Sequence, residues 1–155
     1  MSIRITGLQQ VQDALKKELD KLGGGKFALI GIHESAGMVE SGEFSMATLG
    51  ALQHFGNDKI PARPWLDVGV EQGNKEYLDV IEEGIADGLS QDQILEQVGA
   101  IAAGYAQQYI TDLDTPPNAP STVKKKGSNN PLIDTGAMRA SVTYIVTNKA
   151  PEEGL

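Results

Sequence analysis

The chain has 155 residues and no cysteine, so neither a disulfide nor a thiolate metal site can be built from it. That fits a reducing compartment. Aromatic residues make up only 5% and include a single tryptophan, which leaves no aromatic-studded strands of the kind that stack RNA bases. Cations are scarce as well: 13 Lys and Arg stand against 21 Asp and Glu, for a formal net charge of -8. A clamp on phosphates needs surplus Lys and Arg, so nucleic-acid binding through the backbone is not expected. No apolar run approaches the ~20 residues of a membrane span. The N-terminal stretch lacks the apolar centre of a signal peptide. Histidine is nearly absent too. His33-Glu34 opens a metalloprotease-like phrase, but Gly37 stands where the second histidine would be, and His54 is the one other imidazole. Surface or hydrogen-bonded roles are expected for both. These absences point to a soluble protein with no membrane partner and no metal or other cofactor.

What is present reads as one domain over residues 1–155, large enough to bury a core without staples. Residues 2–6 alternate like a short strand. From Thr6 the capping-box spacing Thr6–Gln9 opens a helix with Leu8, Val11, Leu15, Leu19 and Leu22 on one stripe, ended by Gly23, Gly24 and Gly25. Residues 27–32 form an apolar run expected as a buried strand. The glycine-rich segment 33–45 reads as a hairpin turn or a flexible loop. Residues 46–55 then predict an amphipathic helix with Leu49, Leu52 and either Phe55 or Ala51 inward.

Pro61 and Pro64 hold Ala62-Arg63 extended and deliver Trp65 to a first helical turn, making a stiff elbow. Trp65 is expected in the core and Arg63 beside a carboxylate, with partner contact as the sharper role for both. Tyr77, Ile81, Ile85 and Leu89 predict a helix, with Leu78 alongside. Ser90–Gln93 is a second capping box, followed by Ile94, Val98, Ile101, Tyr105 and Tyr109 along one face. Gly99, Ala100, Ala102, Ala103, Gly104 and Ala106 make that helix thin, open to close neighbours. Residues 114–131 are rich in proline, polar residues and lysine, and are expected to be a flexible loop. Lys124, Lys125 and Lys126 in an otherwise acidic chain suggest docking on an acidic surface. The segment from Pro131 reads as a capped turn at Asp134 and Thr135, then a strand in which Val142, Tyr144 and Val146 share a face. A strand this late needs an earlier one to pair with.

No nucleophile elbow, cysteine nucleophile or paired-carboxylate spacing appears, so no enzyme activity is expected. Four phrases in order are nevertheless distinctive: Leu52-Gln53-His54-Phe55-Gly56, Ile60-Pro61-Ala62-Arg63-Pro64-Trp65-Leu66, the stretch from Pro120 through Lys124-Lys125-Lys126-Gly127, and Pro131-Leu132-Ile133-Asp134-Thr135-Gly136 running on to Ser141-Val142. Together they resemble the tail-completion and virion-morphogenesis proteins of tailed bacteriophages. Gln53-His54 stands where that family more often has an acidic residue, and Trp65 where it has Phe. The resemblance implies an α+β subunit, a small antiparallel sheet with helices packed on it and a long proline- and lysine-containing loop. It further implies a non-enzymatic neck or tail-completion ring, hexameric, seated in the virion between connector or collar and tail proteins, with DNA passing through unbound. Such a protein is made in the host cytoplasm and needs no cofactor. Arg63, Trp65, Lys124, Lys125 and Lys126 are its suspected assembly contacts. A tail-terminator ring and an unrelated cytoplasmic enzyme are the alternative readings.

Overall fold

The computed structural model describes residues 23–150. The strand expected at 2–6 and the helix expected at 6–22 lie outside the described residues. Strand β1 (Phe27–Ile32) pairs antiparallel with β2 (Val142–Thr147), Phe27 facing Thr147 and Ile32 facing Val142. The late strand thus finds its partner at the other end of the described chain, as its alternation requires. Val142 is buried and Tyr144 half-buried, while Thr143 and Ile145 between them are exposed. The apolar run of β1 is half-buried throughout rather than enclosed. Among the described residues it has one strand partner.

Residues 33–45 make a tight excursion with a 3-10 turn at Glu34–Ala36 and an antiparallel bridge between Met38 and Ser45. Helices follow as α1 (Met46–Phe55), α2 (Trp65–Glu71), α3 (Asn74–Ala86), α4 (Gln91–Asp112), α5 (Pro120–Lys126) and α6 (Ala137–Ala140). The result is a small α+β fold. Helix α4 is its axis: the sheet packs on it, and so do α2 and α3. Its start is the expected capping box, with Ser90 Oγ accepting from Gln93 N and Gln93 Oε1 accepting from Ser90 N at 2.9 Å.

The side that α4 buries departs from the expected line of large residues. Gly99, Ala102, Ala103, Ala106 and Ile110 are buried together with Ile94, whereas Val98, Ile101, Tyr105 and Tyr109 are only half-buried. Close approach explains the difference. A Cβ built on Gly69 of α2 would lie 2.9 Å from the Ala106 Cα, and the Tyr144 ring of β2 occupies the space over Gly99. Small residues mark the contacts between backbones, and the larger side chains fill the flanks.

The same logic corrects the inward face of α1. Met46, Gly50 and His54, each one helical turn apart, are buried, while Ala51 and Phe55 face out and Phe55 is 61% exposed. Gly50 admits Ile32 and Trp65, and its carbonyl accepts from Trp65 Nε1 at 3.0 Å. Around Trp65 the core gathers Met46, Ala103, Ala106, Ile110, Leu113, Leu132, Met138 and Val142. On α3, Tyr77 is buried and its hydroxyl donates to the Val70 carbonyl at 2.7 Å. Leu78 and Ile85, expected to pack, are instead exposed at 60% and 40%. The contact of α3 with α4 runs through Tyr77 on Tyr105 and Gly84 on Ile94.

Candidate assembly surface

The elbow before α2 begins at Gly56, whose φ of 70° and contacts with the backbone of Ile60 and Ala62 leave no room for a side chain. Asn57 Oδ1 accepts from the backbone N–H groups of Lys59 and Ile60, closing the turn. Arg63 is then pinned by its backbone N–H on the Gln53 carbonyl, and its side chain enters the protein. It is 1% exposed. Nε donates to the Pro116 carbonyl at 2.9 Å, Nη1 to Gln53 Oε1 at 2.9 Å, and Nη2 to the Pro117 carbonyl and to Asn118 Oδ1. The expected carboxylate is absent from this set. Amide oxygens alone solvate the guanidinium, and burial lowers its pKa.

Trp65 is core, as expected, at 3% exposure. Arg63 and Trp65 are therefore enclosed by their own chain, and the idea that either side chain meets a neighbouring subunit is corrected. The elbow is a staple that joins α1 to the segment after α4.

That segment, expected as a flexible loop, contains α5. Pro120 occupies the first turn of this helix and Gly127 caps its end in the left-handed conformation. Beyond it, Asn130 is the main anchor. Its Nδ2 donates to the carbonyls of Ile110 and Thr111 at the end of α4, and its Oδ1 accepts from the N–H groups of Leu132 and Ile133. Asn118 Nδ2 donates to the Pro131 carbonyl, so the two ends of the segment are tied to each other as well. Sequence reasoning missed Asn130, although an asparagine just before proline is a turn signal.

The three lysines part company here. Lys126 Nζ donates to the carbonyls of Asn130 and Pro131, at 3.1 and 3.4 Å. Burial lowers its pKa, against the opposing pull of Asp134. Lys124 and Lys125 are exposed and make no hydrogen bond or ion pair among the described residues. They are the suspected contact residues that do reach the surface.

His54 is buried, with Nδ1 accepting from the Leu66 N–H at 3.5 Å, a donor left over at the start of α2. That pairing puts the ring proton on Nε2, 3.3 Å from Asp67 Oδ2. His33 Nε2, by contrast, is buried without a partner among the described residues. Those residues include no group of three or more His, Cys, Asp or Glu able to hold a metal ion. No helix among them is long and apolar enough to cross a membrane.

One groove marks the outside of α4. Ile101, Gly104, Tyr105 and Gln108 line it with Glu76 of α3, around a volume of about 240 Å³. Tyr105 OH donates to Glu76 Oε2 at 2.7 Å and fixes that carboxylate on the rim. Comparison with protein-family models, curated proteins and solved structures finds no match to this chain.

Proposed function

We propose that this chain is a structural subunit of a bacteriophage head–tail junction, a neck or tail-completion protein that forms a hexameric ring around the path of the DNA. The observation that carries the reading is the convergence of the four phrases on which the resemblance rests. Gln53 from the first phrase bonds Arg63 from the second, Arg63 reaches Asn118 just ahead of the third, and Asn118 and Lys126 of the third both donate to the Pro131 carbonyl of the fourth. Trp65, Leu132 and Met138 from the same phrases share the core. These contacts support reading the four phrases as parts of one framework. A closed ring follows from a head-to-tail contact repeated around an axis.

Imaging of assembled particles tests the proposal. Density for this chain as a ring between capsid vertex and tail supports it, and a single off-axis copy or its absence from the particle overturns it. A conduit subunit also has to let DNA slide. At a net charge of -8, the purified protein is expected to show no micromolar binding of duplex DNA even at low salt, where electrostatic attraction is strongest. Micromolar binding under those conditions would count against a passive channel.

A further inference from the structure

The groove lies on the outer side of α4. Ile101, Gly104 and Gln108 lie opposite Ala102, Ala106 and Ile110 around the helix, facing away from the core. A Cβ built on Gly104 would meet nothing within 4 Å, so the described residues leave the space above it unfilled. Ile101 and the Tyr105 ring provide apolar walls. One rim is acidic: Glu76 is held in place by Tyr105, and Glu83, two turns further along α3, is on the same side and exposed without a partner among the described residues. Elsewhere on the same molecule, Lys124 and Lys125 on α5 are exposed with no carboxylate partner among the described residues.

We propose that this groove receives the α5 segment of a second copy of the chain, with Lys124 and Lys125 reaching Glu76 and Glu83. The occupant is chosen by charge complementarity. A lysine has an apolar stem and a charged head, so it covers Ile101 and Tyr105 with the first while it pairs the second at the rim. A tyrosine face beside an ammonium adds a cation–π attraction. The contact joins two different surfaces, α5 of one subunit to α3 and α4 of the next. It is therefore heterologous, the type that propagates around a ring. The inference deepens the ring reading, on which it rests, by naming the surfaces that meet.

Charge reversal in both directions tests it, with self-association of the full chain followed by sedimentation at low and moderate salt. K124E/K125E and E76K/E83K are each expected to weaken association at least tenfold, and the wild type is expected to weaken as salt rises. Combining all four changes in one chain is expected to restore association, as is mixing the two reversed proteins. Gly104→Leu puts a side chain into the groove from a position whose Cβ meets none of the described residues, so it is expected to abolish association while leaving the subunit's thermal transition intact. A wild type that stays monomeric, reversals without effect, or a quadruple variant that fails to recover would each overturn the contact. Particle imaging judges the neck reading separately. A junction ring whose assembly ignores these variants would leave that reading standing and discard this one.

Discussion

The Arg63 guanidinium meets four oxygens from two stretches of chain, and only a planar fork reaches them together. Arg63→Lys keeps the charge but leaves several buried acceptors unpaired. It is expected to cost about 2–4 kcal/mol of stability, read as a lower denaturant midpoint at unchanged slope. Asn130 offers a sharper contrast, because it donates with one end and accepts with the other. Asn130→Asp keeps the acceptors, deletes both donors, and sets a negative charge against the carbonyl end of α4. A loss of about 1–3 kcal/mol is expected, shrinking as acid protonates the new carboxyl. The tyrosines set the alkaline limit. Hydrogen bonds to Glu76 and Glu96 raise the pKa of Tyr105 and Tyr144 respectively, and burial raises that of Tyr77. The folded chain therefore keeps protons that the unfolded chain releases above pH 10. This contribution is complete below pH 10 and is lost as pH rises through the folded-state values. Thermal midpoints measured on either side of pH 10 are expected to fall with rising pH, and Tyr105→Phe with Tyr144→Phe is expected to flatten that fall.

At the scale of elements, two glycines with opposite surroundings show what holds α4 in place. Gly69 meets α4 through backbone, so Gly69→Ala pushes α2 away and is expected to cost about 1–3 kcal/mol. Gly104 faces open space in the same helix, and Gly104→Ala is expected to add about 0.5–1 kcal/mol by helix propensity alone. Calorimetry on the two variants checks both signs. This contrast also explains which elements were legible. The capping box at Ser90, the alternation of β2 and the proline elbow are signals carried by adjacent residues, and each appears where the sequence puts it. The buried sides of α1 and α4 were misread because periodicity weighs large apolar residues most heavily. Here Gly50, Gly99, Ala102 and Ala106 form the contacts, and their smallness is informative only once the opposing chain is known. Helix α5 was hidden by composition, although Pro120 and Gly127 bracket it as start and stop. The network around Arg63 joins residues far apart in the chain, a distance that local patterns do not span.

For the molecule as a whole, the candidate contact surface was legible in part. Lys124 and Lys125 stand out in an acidic chain, but the groove proposed to receive them exists only after α3 has packed on α4. A different whole-molecule consequence comes from the sheet. Its two strands are drawn from opposite ends of the described chain, with every helix made between them. Closing so long a loop must precede any gain from the pairing, which makes it a late and slow event in folding. A chain cut after Ala140 would carry all six described helices and still lack the buried Val142 and the partner of β1. Such a fragment is expected to show no cooperative thermal transition, and a sharp transition from it would disprove the point. The strand pair thus works as a clasp that a chain lacking β2 cannot close.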